Sequence, residues 1–325
     1  MADAEYFAQL EEFAARLKPE AARLDVSGDA VAAWYERFQQ EGLHIGCSVR
    51  MPLDGAGFCR ALEILAMASG AFAFVALQQF VANMNVGDRF HDPVWPKVGV
   101  AFGHLGKPEP SLPRLQNGRA NGVAPWLTGA GIFDQVVLGL HDAARQEIFA
   151  LVDALHRPAF THSEPLSLLA CTGTRTVRVR LEDLPVTDDQ ILKIDPPGSK
   201  AHGDAGWVLY QTPLMVGCVR ACHKIIAASP RVDAAQKADC ERTTEKLLDR
   251  IYSAFAGGDM SEGARLRAEI GDYSVRIARL AAMASGAGGL LITHPAQRLY
   301  REALVYSLMA QTDLIVNQAI QVCVA

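Results

Sequence analysis

The chain has 325 residues, of which half are hydrophobic and 21% are charged, as is ordinary for a folded globular protein. Single cores usually stop growing below this length, so we expect two or three domains. The net charge is −5 and lysine and arginine form no cluster, which argues against nucleic acid as a partner. No apolar run reaches the roughly 18 residues of a membrane-spanning helix, and the acidic N-terminus does not resemble a secretion signal. These features predict a cytoplasmic protein with no membrane partner.

The seven cysteines are odd in number and include no Cys-x-x-Cys pair. This pattern is typical of reduced thiols rather than disulfides. Cys218, Cys222 and His223 fall on one predicted helix, and such a group could bind a soft metal. His223, however, points away from the helix face that the two cysteines share. The sequence therefore predicts no metal site.

Residues 1–97 are predicted to be a helical domain. Apolar residues recur at helical spacing from Tyr6 to Leu17 and again from Val31 to Phe38. The stretch 58–85 is apolar on nearly every side, which indicates helices buried within a bundle. Gly70 is expected to divide this stretch into two helices.

Residues 98–200 are predicted to be a small antiparallel β domain. Asn121-Gly122 lies between extended runs and is a strong hairpin signal, because both residues tolerate the positive φ of tight turns. Two further strands are predicted at 147–155 and 174–181. In the second of these, valine or leucine alternates with threonine or arginine, as expected for a sheet with one buried face.

One strand of this domain contains Trp126 and Thr128 and is followed by Gly129 and Gly131. The two glycines allow other groups to approach the backbone closely. Judged from the local sequence alone, Trp126 is expected to be a buried side chain of the sheet, since apolar residues in strands are usually core.

Residues 201–325 are predicted to form an up-down four-helix bundle. The four helices are expected at 213–229, 232–255, 262–285 and 295–322. The predicted fold is therefore mainly α with a β domain between two helical domains, which differs from the strand-helix alternation of a doubly wound fold.

This order of domains, together with three motifs, resembles the acyl-CoA dehydrogenase family of flavoproteins over nearly the whole chain. The first motif is Trp126-Leu127-Thr128, which is similar to the family's W-[IV]-T strand. The second is Leu181 to Val186, similar to the strand that closes the family's β domain. The third, Pro295 to Ala303, looks like the family's P-v-x-[RK]-[LM]-x-R-[DE]-A segment. The resemblance implies bound FAD, an acyl thioester substrate, and a homodimer or homotetramer that completes its flavin sites across subunits.

The resemblance also implies positions for the cofactor. Trp126 would pack beside the isoalloxazine ring, and Thr128 would hydrogen-bond near the N5/O4 edge of that ring. Gln311 and Thr312 would lie near the flavin, at the end of the last segment. In such sites the protein orients and tunes the flavin, while the redox chemistry belongs to the cofactor.

The family's catalytic glutamate falls on Ala310, which cannot accept a proton. Tyr210 to Gly217, the other place where the family carries this base, contains no carboxylate. His104, in a glycine-rich loop, is a weak candidate because histidine titrates near neutrality. His294, before the last helix, is better explained as a helix cap.

Charged residues of the last helix have two interpretations. Arg298 and Arg301 could bind a phosphate of the cofactor or thioester, but a surface ion pair with Glu302 explains them equally well. Glu302 and Asp313 are expected to lie on the solvated face of the helix.

Three functions remain open from the sequence. The first is α,β-dehydrogenation of an acyl thioester by an FAD-dependent enzyme whose usual base is replaced by Ala310. The second is a monooxygenase that uses reduced flavin and oxygen, which would not need the glutamate. The third is a non-catalytic binding protein that keeps the fold. Retention of Trp126 and Thr128 favours the first two. The third is favoured by the absence of the family's R-x-x-F-G segment, which reaches the flavin of a neighbouring subunit.

Overall fold

The structure is a computed structural model that describes residues 3–90, 95–105, 112–155, 157–200, 208–257 and 262–324. It contains helical elements at both ends of the chain and a β-sheet between them. None of the helices in these ranges combines the length and apolarity needed to cross a membrane.

Five α-helices form the N-terminal part. They are α1 (Asp3–Leu17), α2 (Ala21–Val26), α3 (Gly28–Gln40), α4 (Gly55–Ala68) and α5 (Gly70–Val86). Side chains of Ser27, Asp54 and Ser69 cap α3, α4 and α5 by accepting backbone N–H groups of the first turn. The predicted division at Gly70 is confirmed, and it occurs because Ser69 ends one helix and caps the next.

Eight strands of the described chain form one sheet. They are β1 (Val98–Ala101), β2 (Arg114–Gln116), β3 (Arg119–Leu127), β4 (Gln135–His141), β5 (Glu147–Asp153), β6 (Phe160–His162), β7 (Val177–Pro185) and β8 (Ile191–Asp195). Their order is β6-β7-β3-β2-β4-β5-β8, and β1 pairs with β4 in parallel. The predicted alternation of β7 is confirmed, since Val177, Val179 and Leu181 are buried and the arginines between them are exposed.

The predicted hairpin at Asn121-Gly122 is wrong. The turn lies four residues earlier, at Asn117-Gly118, where both residues have positive φ and Gln116 pairs with Arg119. Asn121-Gly122 instead lies inside β3, where the register against β7 shifts. The side chain of Asn121 bonds Asp183 across the two strands. Both Asn-Gly pairs carry the same local signal, and strand pairing decides which of them becomes the turn.

The C-terminal helices are α6 (Thr212–Ala228), α7 (Ala234–Gly257), α8 (Gly263–Ala284), α9 (Pro295–Leu308) and α10 (Asp313–Val324). The first three agree with the predicted helices. The predicted continuous helix at 295–322 is wrong, because the chain breaks between α9 and α10. At this break Ala310 has a φ of 46°, and Thr312 starts the next helix by accepting the N–H of Ile315.

Two apolar cores lie on the two sides of the sheet. The larger contains side chains from helices of both ends of the chain, from Tyr6 to Tyr306, and from one face of the sheet. The smaller is formed by sheet residues such as Ala124, Leu138 and Val179. The domain boundaries at 97 and 200 stay a prediction.

Candidate functional site

The end of strand β3 presents Trp126 at the surface. Its side chain is 55% exposed, so the expectation of a buried tryptophan is wrong. The reason is a register shift against β7 between Ala124 and Leu127. Regular alternation would put Trp126 on the same face as Ala124, whereas the irregularity buries both Ala124 and Leu127 and turns Trp126 outward. A large flat ring is thereby available to an external partner.

The turn after β3 fixes the position of Thr128. Gly129 donates its N–H to the carbonyl of Thr174 at 2.8 Å, and Ala130 donates to the carbonyl of Arg175 at 3.2 Å. Gly129 has a φ of 86°, and a Cβ there would lie 2.3 Å from the ring of Phe133. Only glycine fits this turn without strain. The turn thus holds the end of β3 against the segment that precedes β7.

Thr128 is buried, and its hydroxyl lies 3.0 Å from that of Thr176. Thr176 in turn lies 3.0 Å from the hydroxyl of Thr174, which donates to the carbonyl of Cys171 at 2.7 Å. Thr176 was expected on the polar face of its strand but is 3% exposed. Three threonine side chains therefore form one chain of hydrogen bonds that starts at Thr128.

This chain of bonds continues to the last helices. The N–H of Cys171 donates to Oδ1 of Asp25 at 2.6 Å, and Oδ2 of Asp25 pairs with Arg301 at 2.8 Å. Arg301 also donates to Gln297 at 2.7 Å and to the carbonyl of Leu169 at 3.1 Å. Two residues singled out from the sequence, Thr128 and Arg301, thus belong to one connected network.

The two arginines of α9 are engaged in internal ion pairs. Arg298 is buried and pairs with Glu302 at 2.6 Å. The predicted partner of Arg298 is therefore confirmed, but the pair is buried and not at the surface as predicted, and Arg301 pairs with Asp25 instead of Glu302. The expectation that Glu302 is solvated is wrong, since it is 1% exposed, while Asp313 is exposed as predicted. In this arrangement neither guanidinium is available to a phosphate without breaking an existing pair.

The pKa values of the first pair reflect its burial. Burial raises the pKa of Glu302, and attraction to Arg298 only partly opposes that effect. Burial lowers the pKa of Arg298, but attraction to Glu302 outweighs it and raises the pKa above its ordinary value. Oε2 of Glu302 is buried, has no hydrogen-bond partner in the part of the chain that the structure describes, and lies against Gly70.

Asp25, Cys171 and Glu302 bring three ligand atoms within 4.8 Å of one another, and all three residues are buried. Two guanidinium groups already balance the two carboxylates, and burial raises the pKa of the Cys171 thiol well above its ordinary value. A neutral thiol is a poor metal ligand. We therefore interpret this cluster as a buried ion-pair network rather than as a metal centre.

The break between α9 and α10 leaves Ala310 exposed. Its match to the family's base position stays a prediction. Arg267 of α8 stabilises this break by donating to the carbonyls of Tyr306 at 2.7 Å and Met309 at 3.2 Å. Burial lowers the pKa of Arg267 to about 10, and no carboxylate in the described ranges pairs with it. Its charge instead faces the carbonyl end of α9, which is favourable for a cation.

Gln311 and Thr312 occupy the same break. Nε2 of Gln311 donates to the carbonyl of Ser307, while its Oε1 is buried and has no hydrogen-bond partner among the described residues. Thr312 caps α10 through its hydroxyl. An unpartnered buried amide oxygen can accept a hydrogen bond from a ligand, and the role of Gln311 as a flavin contact stays a prediction. The Thr312 hydroxyl has a structural role as the cap of α10.

Comparison of the sequence with family models and with curated proteins gave no match. The structure, by contrast, matches solved structures over nearly its full length. Butyryl-CoA dehydrogenase from Megasphaera elsdenii has a TM-score of 0.72 and 14% identity, covering 99% of this chain and 98% of that one. The chain has the acyl-CoA dehydrogenase fold.

Two further structures with this fold carry other names. The HsaA monooxygenase from M. tuberculosis has a TM-score of 0.75 and 14% identity, covering 98% of this chain and 96% of that one. KijD3, solved with FMN and a dTDP-amino-keto sugar, has a TM-score of 0.77 and 16% identity, covering 99% of this chain and 93% of that one. At these identities the likeness establishes the fold and leaves the reaction to the residues of the site.

Within this acyl-CoA dehydrogenase fold, the two histidines considered as bases have other contacts. His104 is buried and its Nε2 lies 3.0 Å from the carbonyl of Gly139, to which it must donate. Nδ1 of His294 accepts the N–H of Ala296 at 3.2 Å, which confirms its interpretation as a cap. His104 is therefore explained as a buried residue that bonds the backbone of strand β4.

The cysteines of α6 face the last helices. Cys218 and Cys222 are both buried, and Cys218 donates to the carbonyl of Leu299 at 3.4 Å. His223 instead bonds Thr244 of α7. The predicted divergence of His223 from the cysteine face is confirmed.

A cleft of about 480 Å³ lies between α7, α8 and α10. Among the residues that line it are Lys246, Arg250, Glu269 and Arg276, and none of the predicted site residues is included. Arg250 pairs with Glu269 and with Glu262 across this surface. Because its charges are largely paired, we do not assign the cleft to the site.

Sequence reasoning missed Asp25, Arg267 and the pair Thr174 and Thr176. An isolated aspartate and an arginine in a helix carry no local signal of burial. The two threonines could have been noticed, because a Thr-x-Thr repeat precedes a strand adjacent to Thr128.

Proposed function

We propose that this protein is a flavin-dependent oxidoreductase that binds reduced flavin and reacts with dioxygen, as a monooxygenase does. The isoalloxazine ring would lie against the exposed Trp126, with its N5/O4 edge at Thr128 and Gln311 as a further acceptor. The flavin would supply the redox chemistry, while these residues bind and orient it. FAD is the expected form, and FMN is the alternative to be tested.

What supports this proposal is a strand end that the family resemblance assigns to the flavin, together with the lack of an assigned base among the described residues. The motif residues Trp126 and Thr128 are retained, and the resemblance assigns the position of the usual carboxylate to Ala310. The carboxylates of Asp25 and Glu302 are buried and form ion pairs with arginine. Dehydrogenation needs a base close to the α-carbon of the thioester, whereas a reaction that starts from reduced flavin does not.

The test begins with the absorption spectrum of the purified protein, before and after incubation with FAD or FMN and desalting. Flavin that is retained is then reduced anaerobically and mixed with oxygenated buffer, and its reoxidation is compared with that of free flavin. A distinct rate is expected for the bound flavin. In a parallel sample, oxidised bound flavin is titrated anaerobically with acyl thioesters of several chain lengths.

Each result leads to a different conclusion. Bleaching by an acyl thioester would overturn the oxygen-dependent proposal in favour of dehydrogenation. Reoxidation at the rate of free flavin would also count against it. A protein that retains neither oxidised flavin and also binds neither flavin in its anaerobically reduced form would be a binding protein that keeps the fold without the redox chemistry.

We also propose that the chain forms a homo-oligomer through α10. This short helix exposes four large apolar side chains, Leu314, Val316, Ile320 and Val324. Such a patch is unusual on a monomer, and a second copy covering it is consistent with the predicted homodimer or homotetramer. Light scattering should give a dimer or tetramer for the native chain and a smaller species for Ile320→Glu. Asn317→Glu, on an exposed polar position of the same helix, should leave the mass unchanged.

A further inference from the structure

The hydrogen-bonded hydroxyls of Thr128, Thr176 and Thr174, which we call the relay, have a fixed donor direction. The contact between the Thr174 hydroxyl and the carbonyl of Cys171 is 2.7 Å long. A carbonyl oxygen cannot donate, so the only hydroxyl hydrogen of Thr174 lies in this contact. Without that hydrogen, two oxygen atoms would face each other with their lone pairs.

The remaining directions follow from this first one. Thr174 has no hydrogen left for the 3.0 Å contact with Thr176, so Thr176 must donate to Thr174. Thr176 then has none left for its 3.0 Å contact with Thr128, so Thr128 must donate to Thr176. The hydroxyl of Thr128 is committed inward and offers only lone pairs to a further partner.

The surroundings prevent easy reversal of this order. Thr174 is fully buried and Thr176 nearly so, which keeps water from supplying an alternative partner. The bond from Gly129 to the carbonyl of Thr174 ties the two ends of the relay together. Reversal would leave the Cys171 carbonyl and the Thr174 oxygen in unfavourable contact at 2.7 Å.

We propose that this relay makes the site bind two-electron-reduced flavin more tightly than oxidised flavin. The inference rests on the proposed function, which places the N5 edge of the ring at Thr128. N5 of oxidised flavin carries a lone pair and needs a donor, whereas N5 of reduced flavin carries a hydrogen and needs an acceptor. A threonine that can only accept matches the reduced form.

The expected preference is roughly tenfold in the dissociation constants. A neutral hydrogen bond contributes a net stabilisation close to the value that corresponds to a factor of ten in binding. For a two-electron couple, a tenfold preference for the reduced form raises the midpoint potential of the bound flavin by about 30 mV relative to free flavin.

The experiment measures the affinity of the full-length apo-protein for oxidised FAD and, under anaerobic conditions, for dithionite-reduced FAD. The midpoint potential of the bound flavin, measured against a reference dye, gives an independent value of the ratio. Thr174→Val and Thr176→Val each release the relay, so that Thr128 can donate outward. Both should lose the preference for reduced FAD, and Thr174→Ser should keep it.

Thr172→Val is the matched control. Thr172 lies in the same turn, but its hydroxyl donates to the backbone carbonyl of Asp25 and is not part of the relay. This variant should keep the native ratio. Two relay variants are used, so that if one of them fails to fold, the other still tests the inference.

The inference and the proposed function fail in different ways. If FAD binds but the native protein shows no preference for the reduced form, the relay does not act as proposed. The same holds if Thr174→Val and Thr176→Val keep the native ratio. If neither redox form binds to the native protein, the proposed function is wrong, and the inference falls with it.

Discussion

Replacing Asp25 by alanine should be among the most destabilising single changes in this protein. The carboxylate is 2% exposed and has two partners, the N–H of Cys171 at 2.6 Å and the guanidinium of Arg301 at 2.8 Å. Removing one partner of a buried ion pair costs about 3–5 kcal/mol, and a buried N–H without a partner costs about 1–3 kcal/mol.

We do not expect the two free-energy costs to add in full. Arg301 stays partly satisfied, because it keeps its bonds to Gln297 and to the carbonyl of Leu169. We therefore expect a total loss of about 3–5 kcal/mol, which is a large share of the roughly 5–15 kcal/mol that stabilises a typical domain. Asp25→Asn can still accept from Cys171 and should cost less. Urea unfolding followed by circular dichroism measures all three proteins.

Asp29→Ala is the matched control. Asp29 also pairs with an arginine, Arg175, but its side chain is 92% exposed. Exposed pairs contribute at most about 1 kcal/mol. If Asp25→Ala costs no more than Asp29→Ala, then burial does not strengthen the Asp25–Arg301 pair and the reasoning above is wrong.

Three further predictions concern the site and its support. Gly129→Ala should lower the stability by about 2 kcal/mol or more and weaken flavin retention. The reason is that φ is positive at this position and the new Cβ would meet the ring of Phe133. Thermal unfolding measures the loss of stability, and the flavin spectrum measures retention. Trp126→Ala should reduce flavin affinity about tenfold with little change in stability, since the ring is half exposed. His44 should make the fold less stable as the pH falls. Burial lowers its pKa below 6.5, so the unfolded chain takes up a proton that the folded chain resists. Stability should therefore fall between pH 7.5 and pH 5.5, and His44→Gln should remove this part of the fall.

Each of these predictions has a control. Gly103→Ala should be tolerated, because its φ is ordinary and open space surrounds the new Cβ. Leu155→Ala removes another exposed apolar side chain and should leave flavin affinity unchanged. An equal loss of affinity in this control and in Trp126→Ala would remove Trp126 from the site. A pH dependence in His44→Gln as large as that of the native protein would assign the effect to other groups.

Helices were predicted well from the sequence because their signal is local. Spacing of apolar residues, Gly70 and Pro295 located the helix limits to within a few residues. The break at Ala310 was missed, because it depends on Arg267 reaching the carbonyls of Tyr306 and Met309 from another helix. No window of sequence around Ala310 contains that information.

The sheet and the site depended on pairing between distant segments. Two Asn-Gly pairs gave equal turn signals, and only the register of β3 against its neighbours distinguishes them. The outward position of Trp126 follows from an irregularity in the same pairing. The ion-pair partners of Arg298 and Arg301 could not be decided from the sequence for a related reason. Asp25, the partner of Arg301, lies 276 residues before it in the chain.

The larger core has a consequence for the order in which the protein is made. Helices α4 and α5 leave the ribosome early, but their apolar surfaces are covered in part by α6 and α9, which are synthesised much later. Asp25 likewise emerges long before Arg301, its counter-ion. Contacts between such distant segments form slowly, so that apolar surfaces stay exposed to solvent while synthesis continues. Chains that end before α9 should therefore aggregate, and expression of the native chain should respond to chaperones and to lower temperature.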